Sequence, residues 1–208
     1  MNLSDSYSRV ADEYARRIFD ELEFKPKDRE ILNQFSAQVS SKGRICDLGC
    51  GPGHVSKYLR ERGLDVFGVD VSSGMLDQAR LLNPEIEFQH MDMSALDFKD
   101  GSLAGVVALY SVIHIPRDEV VSVLTEIRRV LAVQGTLLLS HHIGNQTLRL
   151  DEWWGKKVHL DFLFFERKEM EGYLEKAGFE VQACIEREPY GPEVEAQTRR
   201  AYYFAVAK

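Results

Sequence analysis

The sequence predicts an α/β protein built on a seven-stranded, mainly parallel, doubly wound sheet that ends in an antiparallel hairpin. Three observations predict this fold. Five short apolar runs alternate with helical patterns along the chain, and such alternation produces parallel strands joined by crossover helices. The first three runs each lead into an acid, at Asp47, Asp70 and Asp92. Two more strand-like runs follow the last helix, and they can close the sheet as a hairpin.

Composition and charge fit a single domain over residues 1–208. A chain of this length can bury a sizeable core, and 44% hydrophobic and 28% charged residues are ordinary for a globular protein. The formal charge of −7 argues against a nucleic-acid partner, because nonspecific binding depends on Lys and Arg neutralising phosphates. No apolar run approaches the roughly 18 residues of a membrane span, and three cysteines do not make a disulfide framework. We therefore expect a cytoplasmic protein without a membrane partner.

The N-terminal part of the chain, residues 1–40, is predicted to form a helical cap. Apolar residues recur at spacings of three and four over 3–23, which predicts an amphipathic helix. This helix carries Tyr7 and Tyr14 on one face. A charged, proline-containing segment breaks it, and a second helix is expected over about 28–40.

A glycine-rich turn follows the first predicted strand, which delivers Asp47 to the tip of the sheet. The turn contains Gly49, Gly51 and Gly53, and a backbone without β-carbons can come within contact distance of a ligand. The helix predicted over 55–62 presents free N–H groups beside the turn. This arrangement is typical of a nucleotide-type site at the carboxyl edge of a parallel sheet.

The spacing of the turn weakens a dinucleotide interpretation. The dinucleotide fingerprint is Gly-x-Gly-x-x-Gly or Ala, and its last small residue lets helix and strand pack closely. Here that position is the bulky His54. A nicotinamide-dependent oxidoreductase is therefore an alternative and not the favoured class.

Asp70 ends the second predicted strand, residues 65–70, and lies just under twenty residues beyond Gly53. That is the expected separation for a carboxylate that accepts hydrogen bonds from both ribose hydroxyls. Asp70 could instead cap the next helix, but Ser72 or Ser73 suits that position better. We therefore interpret Asp70 as a ribose ligand.

The third predicted strand, residues 86–90, leads to Asp92 and Met93, and the helix before it carries Met75 in its first turn. The two methionines can sandwich a base, because their sulfur atoms are soft and adaptable against a ring. Acids at three successive strand ends are an uncommon coincidence. This edge of the sheet is therefore the predicted binding site.

The stretch from Asp47 to Gly53, Asp-x-Gly-x-Gly-x-Gly, resembles motif I of the class I S-adenosylmethionine-dependent methyltransferases. The segment from Tyr7 to Tyr14 looks like the tyrosine-containing N-terminal segment with which many small-molecule methyltransferases cap the cofactor pocket. The resemblance covers nearly the whole chain. It implies the Rossmann-like methyltransferase fold, with S-adenosylmethionine as the cofactor.

The resemblance also implies roles for the matching residues. The glycine turn would face the methionine part of the cofactor, and Asp47 would help fix its amino group. Asp92 would take the adenine amino group, the backbone of Met93 would meet a ring nitrogen, and the segment after strand four would pass the sulfonium. The residues expected to contact the cofactor are therefore Tyr7, Tyr14, Asp47, Gly49, Cys50, Gly51, Gly53, Asp70, Val71, Met75, Asp92, Met93 and Tyr110.

Three histidines are candidate bases. His114 follows strand four, predicted over 103–110, and His141 and His142 follow strand five, predicted over 136–140. Because alternate strand residues point to opposite faces, at least one of His141 and His142 is expected over the pocket, where a neutral imidazole can accept a proton. A purely structural role is the alternative for His114. A zinc site would need a third ligand, so no metal is expected.

Residues 143–167 are predicted to form an irregular, aromatic lid above the cofactor, where the substrate enters. We expect its aromatic residues both to cover a small core of the lid and to line an apolar substrate cavity. Four basic residues leave room for an anionic substrate: Arg149, Lys156, Lys157 and Arg167. A helix over 169–177 and strands over 179–187 and 198–207 complete the predicted chain.

These features favour an S-adenosylmethionine-dependent methyltransferase that acts on a small-molecule acceptor, as a monomer or homodimer. Attack on the sulfonium methyl can draw much of its acceleration from alignment, so a dedicated base need not exist. The sequence lacks an Asn/Asp-Pro-Pro-Tyr signature, so a nucleic-acid methyltransferase is a poorer option. The other alternative is a non-catalytic cofactor-binding or regulatory domain of the same fold.

Overall fold

The computed structural model describes residues 1–39 and 43–208. The expected helix end at Ser40, and Ser41 and Lys42 before the first strand, lie outside the described residues. None of the described helices is long and apolar enough to cross a membrane. In chain order the elements are α1 (Leu3–Ile18), α2 (Pro26–Val39), β1 (Ile45–Leu48), α3 (His54–Arg60), β2 (Val66–Asp70), α4 (Ser73–Leu82), β3 (Phe88–His90), β4 (Leu103–Leu109), α5 (Val120–Val130), β5 (Leu131–His142), β6 (Thr147–Trp153), β7 (Lys156–Leu163), α6 (Arg167–Lys176), β8 (Phe179–Arg187) and β9 (Arg200–Ala207).

The main sheet of the described chain has seven strands in the order β3-β2-β1-β4-β5-β9-β8. Strands β1 to β5 pair in parallel. Strand β9 runs antiparallel to both β5 and β8. The predicted fold class, including the terminal antiparallel hairpin, is therefore confirmed.

Helices cover the sheet on both faces and enclose a core on each side. In β4, Val106 and Ala108 pack in the core with α5 and α6, whereas Val107 packs in the core with α2 and α3. Strand β9 is divided in the same way, with Tyr203 on the first side and Tyr202 on the second. Because β4 is buried on both faces, its sequence is an almost continuous apolar run.

A two-stranded hairpin of β6 and β7 corrects the prediction that residues 143–167 are irregular. Trp154 and Gly155 form its turn, with φ values of 51° and 75°, as a two-residue type I′ turn requires. Asn-Gly or Asp-Gly is the usual sequence signal for this turn, and tryptophan at the first position obscures it. Val158 and Leu160 alternate along β7 and pack with residues of α1.

Two other boundaries differ from the prediction by five residues, whereas the remaining described ones shift by two residues at most. Helix α1 ends at Ile18, because the last residues of the predicted helix form a separate 3₁₀ turn over Glu21–Phe24. Strand β5 begins at Leu131, five residues before the predicted start at 136. The chain adopts a φ of 63° at Gln134, and the residues on both sides of this irregularity pair with β4.

Helix α1 lies across the carboxyl ends of the parallel strands, between α4 and β7. Ser8 Oγ is 2.9 Å from Ser72 Oγ at the start of α4. A β-carbon on Gly74 would lie 2.7 Å from Ser8 Cα, so glycine permits this close approach. On the other side, Ser6 Oγ accepts the N–H of His159 in β7 at 3.0 Å. The N-terminal helix and the hairpin thus meet above the carboxyl edge of the sheet.

Candidate functional site

A cavity of about 370 Å³ lies beneath α1 at the carboxyl edge of the sheet. Its size is within the range of small-ligand pockets, roughly 300–1,000 Å³. Nine residues that the sequence assigned to cofactor contact line it: Tyr7, Tyr14, Gly49, Gly51, Asp70, Val71, Met75, Asp92 and Met93. Its other lining residues are Asn2, Leu3, Ser4, Leu48, Val69, Met91, His114 and Ile115. The predicted residues therefore converge on one pocket, which we call the main cavity.

The loop after β1 forms one wall of the main cavity. Gly49, Gly51 and Gly53 have φ values of 75°, 54° and 82°, in the left-handed region that residues with a β-carbon disfavour. A β-carbon on Gly49 would overlap Ser111, whereas at Gly51 the nearest atom would be Tyr14 Cε1 at 3.9 Å. Gly49 is therefore needed for packing, and Gly51 leaves the loop backbone open toward the cavity.

A second cavity of about 60 Å³ adjoins the main one, and Tyr14, Gly49 and Gly51 line both. Three further residues of the predicted cofactor set line it: Asp47, Cys50 and Tyr110. The sequence did not predict its other lining residues, which are Glu21, Leu22, Asp28, Pro52, His54, Val55 and Leu109. Gly53 is the N-cap of α3 and, within the described chain, lines neither cavity.

Asp70 is fixed by two backbone hydrogen bonds. Its Oδ2 accepts the N–H of Gly51 at 2.8 Å, and its Oδ1 accepts the N–H of Ser72 at 2.8 Å. Burial raises the pKa of the Asp70 carboxyl, and these two hydrogen bonds oppose the rise. Ser72 caps α4 by accepting the N–H of Met75, as the sequence predicted. Each Asp70 oxygen therefore keeps acceptor capacity for a ligand in the main cavity.

Asp47 is buried at the end of β1 and lies on the second cavity. Its Oδ2 accepts a hydrogen bond from Ser56 Oγ at 2.6 Å. Burial raises the pKa of Asp47 to about 6, although the Ser56 hydrogen bond lowers it in part. A positively charged group in this cavity would offset the burial and favour the ionised carboxylate.

Glu21 and His54 both line the second cavity and are in contact with each other. His54 Nε2 is 3.3 Å from Glu21 Oε1, and Lys25 Nζ is 2.7 Å from Glu21 Oε2. Burial alone would raise the pKa of Glu21, but the His54 hydrogen bond and the Lys25 charge lower it to about 2. The buried Nδ1 of His54 has no hydrogen-bond partner among the described residues. It is therefore able to bind a ligand atom, which the sequence interpretation of His54 as merely bulky did not anticipate.

Tyr7, His114 and the backbone of Asp161 form a hydrogen-bonded chain at the main cavity. Asp161 has a carbonyl oxygen 2.8 Å from His114 Nδ1, and a carbonyl only accepts, so Nδ1 carries the ring proton. The other ring nitrogen, Nε2, then accepts the hydrogen bond from the Tyr7 hydroxyl at 2.7 Å. Burial lowers the pKa of His114 to about 4. The imidazole is therefore neutral at neutral pH.

His141 and His142 lie elsewhere. His141 is fully buried and stacks on Tyr203. His142 lies between the rings of Tyr110 and Phe164, and burial together with the Arg200 charge lowers its pKa to about 3. Within residues 1–39 and 43–208, neither ring lines either cavity. The expectation that one of them lies over the pocket is therefore not met, because Phe165 and Tyr203 enclose His141, and Tyr110 and Phe164 enclose His142.

The far end of the main cavity contains Met75, Met93 and Asp92. Asp92 Oδ1 accepts hydrogen bonds from the N–H and hydroxyl of Ser94 at 2.8 and 2.7 Å, which leaves Oδ2 to accept others. Ser4 of α1 also lines this end and donates to the Val71 carbonyl at 2.7 Å. No sequence pattern marked Ser4, since an isolated serine in a first helical turn has many roles.

Three of the four basic residues suggested for an anionic substrate, all except Lys157, pair with carboxylates. Arg149 pairs with Asp161 at 2.7 Å, and Lys156 pairs with Asp12 at 2.5 Å. Arg167 is half-exposed and pairs with glutamates. In the part of the chain that the structure describes, no three His, Cys, Asp or Glu residues come together as metal ligands.

The fold and the cavity define a nucleotide-binding α/β protein, and comparison with known proteins identifies its family. Residues 45–135 match a family model described as a methyltransferase domain. Phosphatidylethanolamine N-methyltransferase of Cereibacter sphaeroides is 30% identical over 142 residues, which are 65% of this chain and 68% of that protein. The chain belongs to the class I S-adenosylmethionine-dependent methyltransferase family, as the sequence resemblance indicated.

Other similarities support the same assignment. The YqeM protein of Bacillus subtilis is 31% identical over 130 residues, which are 60% of this chain and 53% of that protein. N-demethylindolmycin N-methyltransferase of Streptomyces griseus is 37% identical over 93 residues. The matched regions span only about half and 39% of those two relatives. A solved S-adenosylmethionine-dependent methyltransferase from Methanosarcina mazei has the same fold, with a TM-score of 0.71 at 19% identity over 79% of this chain and 92% of that one.

Proposed function

We propose that this chain transfers a methyl group from S-adenosylmethionine to a small-molecule acceptor. The observation that carries the proposal is the main cavity, in which an open glycine loop faces an Asp70 carboxylate held by Gly51 and Ser72. Relatives named for methylating phosphatidylethanolamine, N-demethylindolmycin and trans-aconitate support the small-molecule class.

The residues present fit the cofactor. Asp70 has acceptor capacity for the ribose hydroxyls, and Met75 and Met93 provide two soft surfaces for adenine. In the second cavity, Asp47 offers a carboxylate for the ammonium group, and the unpartnered Nδ1 of His54, whose Nε2 donates to Glu21, offers that ammonium a second acceptor. When bound, S-adenosylmethionine supplies an electrophilic methyl group on its sulfonium.

The residues around the cavity orient the reactants and exclude water. Tyr7 and Tyr14 contact each other and Trp153 through ring edges, so they present an aromatic surface above the loop. Holding reactants in line can supply effective molarities on the order of 10⁵ M or more. All three candidate bases lie within the described residues, and His114 is the one among them that lines the main cavity. The Nε2 atom of His114 carries no proton. It can accept one from the methyl acceptor once the Tyr7 hydroxyl no longer donates its hydrogen bond to this nitrogen.

The hairpin of residues 147–163 would act as the lid in this proposal. It holds α1 through the Ser6–His159 and Lys156–Asp12 contacts and holds His114 through Asp161. Shortening residues 145–165 should abolish turnover and leave cofactor binding largely intact, because Asp70 and Asp47 are held by Gly51, Ser72 and Ser56 and not by the hairpin. Loss of both together would contradict a lid role.

Calorimetry with S-adenosylhomocysteine tests the cofactor part of the proposal. We expect binding of S-adenosylhomocysteine in preference to NADH, and the reverse preference would favour the oxidoreductase alternative. Release of S-adenosylhomocysteine from S-adenosylmethionine, measured across a panel of amines, carboxylic acids and phenols, tests turnover. Cofactor binding without methyl transfer to any of them would favour a non-catalytic domain.

A further inference from the structure

Three buried cations converge on one carboxylate at the end of the sheet. The side chains of Lys25, Arg187 and Arg200, which we call the cation cluster, are 6%, 8% and 4% exposed. All three contact Glu195: Lys25 Nζ at 3.3 Å, Arg187 at 2.5 Å and Arg200 at 3.1 Å. The cluster therefore surrounds the Glu195 carboxylate as a binding site surrounds an anion.

Glu195 is carried by a segment with no repetitive backbone structure. Residues 188–199, all of them described, contain neither helix nor strand and connect β8 to β9. Within this segment Tyr190 donates its backbone N–H to the Glu195 carboxylate at 2.8 Å. The segment is held by side-chain contacts, among them Arg200 donating to the carbonyls of Thr198 and Ala196 and the Tyr190 hydroxyl accepting the N–H of Lys27. Withdrawal of Glu195 would therefore break such contacts and leave the pairing of β8 with β9 intact.

Charge neutrality in the cluster depends on Glu195. The other carboxylates that pair with it are Asp28, 2.9 Å from Arg187, and Glu21, 2.7 Å from Lys25. Withdrawal of Glu195 would leave three buried cations against these two acids. Buried charge without a partner is strongly unfavourable, so another anion would have to replace the carboxylate.

The cluster lies at the same edge of the sheet as the cofactor residues. His142 ends β5 and pairs with Arg200 on β9, which pairs in turn with Arg187 on β8. The carboxyl ends of β1 and β2, with Asp47 and Asp70, lie at this edge. Ligands of open α/β sheets bind outside this edge.

Tyr110 connects the cluster to the second cavity, which it lines with Asp28. Its hydroxyl is 2.5 Å from that of Tyr202, which donates to Asp28 at 2.6 Å. The Arg200 guanidinium lies 5.8 Å from the centre of the Tyr110 ring. Tyr110 is also held at a φ of 53°, a strained conformation of the kind that concentrates at functional sites. A single side chain thus separates the cluster from the second cavity, where the proposed function places the amino-acid end of the cofactor next to its sulfonium.

From this arrangement we infer that the cation cluster is the subsite for an anionic group of the methyl acceptor, a carboxylate or a phosphate, and that Glu195 occupies it until the acceptor arrives. The inference rests on the proposed methyl transfer and narrows its acceptor class. The acceptor's anion replaces the Glu195 carboxylate on Arg187 and Arg200, and the 188–199 segment moves outward. Tyr110 then borders the acceptor on one side and the cofactor on the other.

Calorimetric titration tests the subsite directly. Inorganic phosphate and malonate are titrated separately into protein saturated with S-adenosylhomocysteine. We expect Glu195→Gln to bind the preferred anion about tenfold or more tightly than the wild type, because the internal competitor has lost its charge. Glu188→Gln is the matched control, since Glu188 lies in the same segment but is exposed and pairs outside the cluster with Arg199. A preference for phosphate indicates a phosphate-bearing acceptor, and a preference for malonate indicates a carboxylic acid.

Displacement of Glu195 in the wild type is tested by limited proteolysis with an endoproteinase that cuts after glutamate. The bound anion should accelerate cleavage after the normally buried Glu195 and leave cleavage after the exposed Glu188 unchanged. Should Glu195→Gln fail to fold, Glu195→Asp keeps the charge and withdraws the carboxylate by one methylene, and it should bind the anion more tightly than the wild type.

The outcomes separate this inference from the proposed function. The inference is overturned if the wild type and the Glu195 variants bind the anion equally tightly. It is also overturned if saturating anion does not change the protection of Glu195 from cleavage. In either case S-adenosylhomocysteine binding would still support the cofactor site. Absence of S-adenosylhomocysteine binding overturns the proposed function itself. Once a turnover assay exists, Arg200→Lys should raise KM for the acceptor more than it lowers kcat, whereas Arg199→Gln should change neither.

Discussion

The two halves of the carboxyl edge hold their carboxylates in opposite ways. Around β1 and β2, Asp47 and Asp70 are held by a hydroxyl and by backbone N–H groups, and no cation of residues 1–39 or 43–208 forms an ion pair with them. Around β8 and β9, Asp28 and Glu195 are held by arginine and lysine side chains. The first half therefore keeps acceptor capacity for a ligand's hydroxyl and ammonium groups. In the second half each of these carboxylates already has a cation partner, so an anionic ligand there must displace a carboxylate.

The halves also differ in how the chain assembles them. Asp70 and Gly51 are 19 residues apart, and Asp47 and Ser56 are 9 apart. Arg187 and Asp28 are 159 residues apart, and Tyr202 and Asp28 are 174 apart. The glycine-loop half is thus built by one local βαβ unit, whereas the cation cluster exists only after the N-terminal and C-terminal parts of the chain have met.

The largest expected effect is a loss of stability when a residue of the cation cluster is replaced, because ion pairs hold the carboxylates in that half of the edge. Arg200→Gln should lower the free energy of unfolding by about 4 kcal/mol, because the buried cluster would then hold three acids, Glu195, Asp28 and Glu21, against two cations. Arg200 also donates to the carbonyls of Thr198 and Ala196. The side chain of Arg199 is 52% exposed. Arg199→Gln should therefore change the free energy of unfolding by less than about 0.5 kcal/mol. Urea denaturation measures the free energy of unfolding of both variants. Equal destabilisation by the two substitutions would contradict the claim that buried ion pairs stabilise this half of the edge.

The next effect concerns ligand binding in the first half. Asp70→Ala should weaken S-adenosylhomocysteine binding by about 3 kcal/mol, because a buried diol would lose a charged acceptor and Gly51 would lose its anchor. Asp77→Ala, at an exposed position of α4, serves as the control and should leave the affinity unchanged. The measurement is calorimetric titration, with thermal unfolding to verify that the variants remain folded. Unchanged affinity in Asp70→Ala would refute the ribose assignment.

A smaller effect separates packing from backbone strain in the glycine loop. Gly49→Ala and Gly63→Ala both place alanine at a φ near 80°, which costs roughly 1–2 kcal/mol. The added β-carbon overlaps Ser111 at position 49 and meets nothing within 4 Å at position 63. Gly49→Ala should therefore be about 2 kcal/mol more destabilising than Gly63→Ala. Equal destabilisation by denaturant titration would show that the loop relaxes freely.

The smallest effect is a pH dependence from His114. Its pKa is about 4 in the folded protein and about 6.5 in an unfolded chain, so the unfolded state binds more protons between these values. Stability from this group is complete above pH 6.5 and is lost as the pH falls through 4. Asp47, with a raised pKa of about 6, acts in the opposite direction. His114→Gln should therefore remove about 1 kcal/mol of acid destabilisation between pH 6.5 and 5, and an unchanged slope in denaturation curves would contradict a buried neutral imidazole.

The sequence predicted the first half of the edge well and the second half hardly at all. Asp70 was predictable because a strand end and a glycine turn lie close together in the chain. The hairpin turn at Trp154 lacked the usual residue signal. The position of His141 could not be predicted, because the side chains that enclose it, Phe165 and Tyr203, are distant in the sequence. The partners of Arg187 could not be predicted, since no local pattern links them.

A crystal structure with S-adenosylhomocysteine tests the central claim most directly. We predict the ribose hydroxyls on Asp70, the adenine between Met75 and Met93, and the amino-acid end passing Gly51 toward the second cavity. Density for the ligand at any other place on the protein, or an adenosyl group that does not touch Asp70, would contradict the account.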